Sequence, residues 1–372
     1  MTVTKNGKLA ILGLGLMGGS LALALTRSGF SVNGWDQSPA VIAEAHRMGA
    51  IERIPTSLGD AVSEARYIFV ATPVTMIAEI IKTALPFTMP GTVFSDLGSI
   101  KEAIISEVFS FLPDSHYFVA GHPMTGSEQQ GIGAADPFLF ENAAYIMIDH
   151  PNTPTPVLTQ VTEIIRTTGA AMLTLTAPEH DRIVAMVSHL PHLLAATLAR
   201  TAGVEEESYP GTLGLAAGGF RDTTRIAMGA PEVWEGIILG NRQRIIEAIE
   251  NFQIELHELR DILNNAGAHA AGREALRKFL EQSRQVRQQI PAKNKGFLTL
   301  LYEMVVTIED RPGTIESVLH HLAGAGINIK DIEILRMREG EGGTLRLALE
   351  NSDAVDQAVS ILESQGFKAR RR

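Results

Sequence analysis

The chain has 372 residues, 45% of them hydrophobic and 20% charged, with a formal net charge of -10 and no cysteine. That length implies roughly two or three domains, and the composition excludes a disordered or fibrous chain. Lack of cysteine excludes disulfides, thiolate metal sites and a cysteine nucleophile, while an acidic chain without a Lys/Arg stripe argues against nucleic acid as a partner. The start runs into an apolar strand without a secretory h-region, and no apolar run reaches the ~18 residues of a spanning helix. A cytoplasmic location with no membrane partner is expected.

Lys8 to Leu12 reads as an apolar strand, Leu16 to Ser28 as a helix and Ser31 to Asp36 as a second strand, a β-α-β unit. The turn between the first strand and helix is Gly13-Leu14-Gly15-Leu16-Met17-Gly18, a G-x-G-x-x-G run whose glycines let the backbone approach a pyrophosphate at a helix amino terminus. Asp36 closes the second strand 18 residues beyond Gly18, where a carboxylate can bond a ribose diol. Because Asp36 repels a 2′-phosphate and Gln37-Ser38 supply no arginine, the expected cofactor is NAD rather than NADP. Tyr67 to Ala71 and Thr92 to Ser95 read as buried parallel strands, with helices at Thr75 to Leu85 and after Ser99. Thr72, Pro73 and Asp96, at the ends of those strands, join Gly13, Gly15, Leu16, Met17, Gly18 and Asp36 as candidate cofactor contacts.

Ser99 emerges at a strand's carboxyl edge, where open α/β sheets bind ligands, unless it merely caps the next helix. The run Gly121 to Glu128 holds His122 between a glycine and a proline. An imidazole titrates near neutrality, so His122 is a candidate base, or an incidental residue of a tight loop. Tyr117 to Ala120 and Ala144 to Ile148 read as a strand pair and Pro154 to Thr168 as a helix, the α/β portion ending near Thr174.

Long helices follow at Pro178 to Thr201, Pro231 to Asn264 and Ala271 to Gln289. Their apolar faces, including Ile237, Ile238, Ile245, Ile249 and Leu256, are expected to bury partly against a second subunit, making a homodimer. At helical spacing Asp181 and His192 share a face from which His189 is rotated away. No third ligand stands at metal spacing, so no metal is expected. Gly218-Gly219 reads as a turn before Arg221 and Arg225, and a guanidinium grips a carboxylate bidentately.

The polar stretch 291–296 is a linker. Beyond it Leu301 to Ile308, Ile329 to Met337 and Gly343 to Leu349 read as strands and Gly313 to Ala325 and Ser352 to Gln365 as helices, a ferredoxin-like β-α-β-β-α order ahead of a solvated Lys-Ala-Arg-Arg-Arg tail. The expected architecture is a Rossmann-type doubly wound α/β domain over 1–175, an all-helical domain over 176–292 and a ferredoxin-like domain over 299–372.

Five segments in order, G-L-G-L-M-G-G-S, S-D-L-G-S-I-K, G-H-P-M-T-G-S-E, H-D-R-I-V-A-M-V-S-H-L-P-H and G-G-F-R-D-T-T-R, together resemble the prephenate dehydrogenase family over nearly the whole chain. That resemblance implies NAD-linked oxidative decarboxylation of prephenate, with His122 taking the ring-hydroxyl proton and Ser99 orienting it. It assigns Arg225 to the ring carboxylate, held by Asp181, and His192, Ser127, Glu128 and Trp234 to the substrate pocket. Arg221 is a further candidate, from its own or the neighbouring protomer. Arogenate, which differs by a side-chain amine, is the rival substrate. A β-hydroxyacid dehydrogenase would offer a helical-domain lysine, and 178–264 contains none. A noncatalytic NAD- and amino-acid-responsive regulator would not need His122, Ser99 and Arg225 together.

Asp310-Arg311-Pro312-Gly313 and Gly326-Ile327-Asn328-Ile329 resemble the ligand loops of an ACT domain. The resemblance implies tyrosine as an allosteric ligand held near Asp310, Pro312, Gly313, Ile327 and Asn328; the alternative is a dimerisation scaffold.

Overall fold

The computed structural model describes residues 8–126, 129–266, 270–290, 302–338 and 342–371, so the expected pocket residues Ser127 and Glu128 lie outside the described residues. The chain divides into two compact units, residues 1–290 and 291–372.

In the first unit, strand β1 (Leu9–Leu12) is apolar and buried along its whole length, as a central parallel strand requires. It pairs in parallel with β2 (Val32–Trp35) on one side and β3 (Tyr67–Val70) on the other, and β4 (Val93–Asp96) and β5 (Tyr117–Val119) extend the sheet in the order β2-β1-β3-β4-β5. Helices α1 (Leu16–Arg27), α2 (Pro39–Arg47), α3 (Leu58–Val62), α4 (Ile77–Ala84) and α5 (Glu102–Phe111) connect these strands. Strand order reverses between β1 and β3, and ligands of such sheets bind at the carboxyl ends beside that point.

The expected pairing of Tyr117–Ala120 with Ala144–Ile148 is reduced to one bond at its end, from the Ile148 amide to the Ala120 carbonyl oxygen at 2.9 Å. The Tyr117 run is buried in the parallel sheet, and the chain turns at Ala120 into a separate strand, β6 (Gly121–Pro123). His122 therefore lies on a strand, not in a tight loop. It sits opposite Ile146 of the antiparallel β7 (Ala144–Ile148), which leads through α6 (Thr155–Arg166) to the parallel β8 (Ala171–Leu175). Glycine is required at 121, because a Cβ there would lie 2.9 Å from Tyr145 Cε1.

Helix α7 (Ala177–Val184) opens with a capping box: Thr176 Oγ1 accepts from the Glu179 amide, and the Glu179 carboxylate accepts from the Thr176 amide. A π-turn over Ala185–His189 separates it from α8 (Leu190–Ser208). Pro191, which has no N–H to give the preceding turn, explains why the helix widens there. The inserted turn also removes the simple helical phasing that relates Asp181 to His192. Contrary to the sequence expectation, Ala177–Ser208 is long and apolar enough to cross a membrane by length and composition. Ala185 and Leu190 of this run instead pack with Ile245 and Ala248, and it carries the buried polar residues His180, Asp181, His189 and His192.

Gly218-Gly219 opens the short helix α9 (Gly218–Thr224) rather than a turn. The single helix expected over Pro231 to Asn264 is two, α10 (Pro231–Gly240) and α11 (Arg242–Ala266), broken at the buried Asn241 and followed by α12 (Ala270–Gln289). Ile237 and Ile245, expected at a subunit interface, are buried within this chain, and Ile238 and Ile249 pack beside Ile245. Leu239, Ile254, Leu256, Leu263 and Leu280 remain exposed.

In the second unit, β9 (Tyr302–Ile308), α13 (Thr314–Gly324), β10 (Ile329–Arg338), β11 (Gly342–Leu349), α14 (Ser352–Ser364) and β12 (Lys368–Arg371) form an antiparallel sheet in the order β10-β11-β9-β12. Met304, Val306, Leu345 and Leu347 face Val318, Leu322, Val355 and Leu362 of the two helices. The basic tail is a strand, not only a solvated end: Ala369 is its apolar anchor, and Arg371 bonds Asp356 and Ser352.

Candidate active site

The β1–α1 turn is shaped for a dinucleotide. Gly13 adopts φ +89° and a Cβ on it would lie 2.8 Å from the Ala71 carbonyl oxygen, while a Cβ on Gly18 would lie 1.8 Å from the Gly13 oxygen. Nothing lies within 4 Å of a Cβ built on Gly15, so the loop has room at the α1 amino terminus. Asp36 accepts from the amides of Leu14 at 2.9 Å and Ser38 at 3.0 Å, which fixes its carboxylate beside the glycine turn. The buried Thr72 Oγ1, at the end of β3, has no hydrogen-bond partner among the described residues. A close-packed glycine turn, an open helix amino terminus, a fixed carboxylate and an orphaned hydroxyl all fit a bound NAD.

Asp96 is not free to contact a cofactor, as the sequence suggested. Fully buried, it accepts from the amides of Gly98 at 2.9 Å and Gly121 at 3.2 Å and pairs with the Lys101 ammonium. Lys101, equally buried, also donates to the Gly121 carbonyl oxygen at 2.7 Å. Burial pushes the Lys101 ammonium down from its ordinary value, with Asp96 opposing. The pair thus ties both backbone groups of Gly121 to the carboxyl edge of the parallel sheet and so sets the position of His122.

His122, 9% exposed, meets His180 across a 2.7 Å contact from Nδ1 to Nε2. His180 Nδ1 lies 2.7 Å from Asp181 Oδ1. Asp181 is 1% exposed and also accepts from the amides of Lys101 and Glu102, each at 2.8 Å. Its oxygens are therefore engaged by two backbone amides and the His180 ring. Asn241 continues the chain, donating to the Asp181 carbonyl oxygen at 2.8 Å and meeting His189 Nδ1 at 3.1 Å. Trp234 packs edge-on to His189 and flat on His192, the latter rings 3.5 Å apart and 11° from parallel.

Arg225 ends α9, and the following Ile226 carbonyl accepts from the His192 ring. A Cβ on Gly229 would lie 2.4 Å from Trp234 Nε1, so this turn is pressed onto the His192–Trp234 stack. The fold thus brings together His122, Asp181 and, in one packed run, His192, Trp234 and the Arg225 segment. Among the described residues the Ser99 hydroxyl makes no hydrogen bond and caps no helix, and the His122 imidazole meets His180. Arg221 is on the exposed face of α9.

Burial holds the imidazoles below their ordinary value. His122 is pushed well down by burial with His180, Lys101 and His189 adding to it, His180 is lowered, and His189 falls to about 4. At neutral pH His122 is an unprotonated imidazole. Sequence reasoning missed His180, Lys101 and Asn241. The Thr176–Glu179 capping box marked the helix that carries His180, and a lysine within the apolar run after β4 was an available signal for Lys101. A groove lined by Glu107, Glu232 and Glu235 lies beside Ile100 and includes none of these site residues. In the second unit, Gly313 starts α13 from φ +87°, between Pro312 and the first helical turn; Asn328 is exposed and Ile327 buried.

A glycine turn at the β1/β3 switch point, an acidic β2 end and a buried neutral histidine near the carboxyl edge of the sheet define an NAD-dependent dehydrogenase. Residues 21–174 match the family "Prephenate dehydrogenase, nucleotide-binding domain" and residues 176–293 match "Prephenate dehydrogenase, dimerization domain". The chain is 32% identical over 359 residues to the prephenate dehydrogenase of Bacillus subtilis, covering 95% of each. Among solved structures, prephenate dehydrogenase from A. aeolicus in complex with hydroxyphenyl propionate and NAD+ superposes with a TM-score of 0.66 at 29% identity, over 76% of this chain and 96% of that one. Synechocystis arogenate dehydrogenase superposes with a TM-score of 0.67 at 27% identity, over 76% of this chain and 99% of that one. The chain belongs to the prephenate dehydrogenase family.

Proposed function

We propose that this chain oxidises and decarboxylates prephenate to 4-hydroxyphenylpyruvate, with His122 as the base. The observation that carries the reading is a buried, neutral imidazole fixed on β6 by the Asp96–Lys101 clamp and by His180. NAD, held by the Gly13–Gly18 turn and Asp36 with Thr72 and Pro73 nearby, supplies the hydride acceptor. As the hydride leaves the ring carbon that bears the hydroxyl, His122 takes the hydroxyl proton, and the electron pair of that O–H bond forms a carbonyl. The carboxylate on the quaternary carbon leaves as carbon dioxide and its bond pair aromatises the ring. The phenolate oxygen then takes its proton back from His122, so no net proton is released. Orientation and one base suffice for so downhill an aromatisation.

Arg225 anchors the ring carboxylate, with His192 and Trp234 forming the wall against which the substrate ring rests; Ser99, Ser127, Glu128 and Arg221 remain pocket candidates. Formation of NADH from prephenate tests the proposal, and no NADH with either prephenate or arogenate would refute it. Arogenate is the second reading, favoured by the structural match to an arogenate dehydrogenase; the ratio of kcat/KM for the two substrates decides it.

We further assign residues 1–175 to the NAD domain, 176–292 to a helical domain that forms a homodimer through such exposed residues as Ile254, Leu256 and Leu263, and 299–372 to a ferredoxin-like ACT domain. The βαββαβ order and the positive-φ Gly313 after β9 support the last assignment. Tyrosine is its proposed ligand, at Asp310, Pro312, Gly313, Ile327 and Asn328, and the setting is cytoplasmic. Inhibition by tyrosine that disappears on deleting 299–372 is the expected result; inhibition that survives the deletion would refute the assignment.

A further inference from the structure

We propose that His180 is a positioning residue that fixes the tautomer of His122, leaving His122 Nε2 as the proton-accepting atom. The inference rests on the reading of His122 as the base. It follows from counting protons along three side chains. Asp181 is surrounded by donors, the amides of Lys101 and Glu102, and so presents only lone pairs to His180. Burial keeps His180 neutral, and a neutral imidazole carries one N–H. That proton sits on Nδ1, where it donates to Asp181 Oδ1 at 2.7 Å.

His180 Nε2 is then a bare acceptor facing His122 Nδ1 at 2.7 Å. Only an Nδ1–H on His122 makes that contact a hydrogen bond; the other tautomer would set two lone pairs against each other in a buried site. With Nδ1 protonated, the lone pair of neutral His122 is on Nε2. The other tautomer would offer substrate an N–H and could not take its proton. A wrong tautomer at a catalytic histidine costs up to about 10⁴ in kcat.

The charged and titratable groups facing this pair come from several elements. His122 is approached by His180 from α7, by the Lys101 ammonium from the β4–α5 connection and by His189 from the π-turn. His180 is approached by Asp181, Lys101 and Asp96. Burial first, and Lys101 with it, disfavours a resting imidazolium on either ring and outweighs Asp181 and Asp96, which favour one on His180, so both start neutral. When the substrate hydroxyl proton arrives at His122 Nε2, Nδ1–H still donates to His180. Neither His180 nor Asp181 changes protonation, and the proton leaves by the way it came, back to the phenolate oxygen.

The test is a long-range 1H–15N correlation spectrum of the full chain with 15N-labelled histidine, the His122 signals identified by their loss in His122→Asn. Wild type at neutral pH is expected to show His122 as the Nδ1–H tautomer. His180→Gln should keep it, because the amide donates to Asp181 while its carbonyl accepts from His122, and should hold kcat within about tenfold of wild type. His180→Ala should shift His122 toward Nε2–H and lower kcat by about 10² or more with the KM for NAD unchanged. An Nε2–H His122 in active wild type, or an Nδ1–H form and full kcat persisting in folded His180→Ala, overturns the proposal. If His180→Ala does not fold, the wild-type and His180→Gln spectra still decide. Failure to oxidise either substrate sinks the dehydrogenase reading and leaves the tautomer spectrum to judge His180 by itself.

Discussion

The ammonium of Lys101 donates to the carbonyl oxygen of Gly121 at 2.7 Å, a fully buried charge tied to the backbone one residue before His122. Its partner Asp96 holds the Gly121 amide from the other side. Breaking a buried pair by removing one member costs about 3–5 kcal/mol, because the other charge stays buried without its partner. Lys101→Met is therefore expected to lower the urea midpoint of the first unit by that equivalent. An unchanged midpoint would show that the clamp does not hold β6.

His122→Asn removes the proposed base and keeps a polar side chain of similar reach. Loss of a general base costs about 10² to 10⁴ in rate, so kcat for NADH formation should fall by that factor with a smaller change in KM. Arg225→Ala should do the reverse, raising the KM for prephenate more than it lowers kcat. Full kcat in the first variant, or a wild-type KM in the second, removes that residue from its proposed role.

The buried imidazoles set a pH dependence whose sign can be worked out. His122, His180 and His189 all titrate below their ordinary value in the folded chain, His189 at about 4. Below an unfolded value of about 6.5 the unfolded chain binds protons that the folded chain refuses. Stability from these groups is thus fully present above about 6.5 and is lost as pH falls toward 4. Urea midpoints measured across this window should decline with acid, and kcat should persist below 6.5, where an ordinary histidine would already be protonated. A level stability profile from 6.5 to 4 would contradict the burial argument.

Two glycines of the cofactor turn should separate folding from binding. A Cβ at Gly18 meets the Gly13 oxygen at 1.8 Å, whereas one at Gly15 meets nothing within 4 Å. Gly18→Ala is expected to lower the thermal midpoint and lose NAD binding together. Gly15→Ala should leave the midpoint unchanged and raise the KM for NAD about tenfold, equivalent to ~1.4 kcal/mol. A destabilised Gly15→Ala, or one with wild-type affinity, would contradict the vacant approach that the turn presents.

Much of this was legible in the sequence because it is local. The glycine turn, the acidic end of β2, the run of helices after Pro178 and the strand–helix alternation of 302–364 each follow from spacing within a few tens of residues. His122, Arg225 and His192 were singled out as candidates by type and by company. What spacing did not reveal were the strand β12, whose only buried apolar residue is Ala369, and the break at Asn241, hidden in a continuous helical pattern.

By itself the sequence determined the α/β and helical domain classes and the cofactor, and put His122 forward as the candidate base. Tertiary structure decided which groups that base rests on: Lys101 and Asp96 through Gly121, and His180 through Asp181. The bonded pairs among these residues are separated by up to 80 positions along the chain, as in the Lys101–Asp181 bond. Only the order of the parallel strands and the passage of α7 against α5 brings them within hydrogen-bonding reach. A hydrogen bond depends on a few tenths of an ångström and an angle, and no periodicity in a sequence encodes either across that separation.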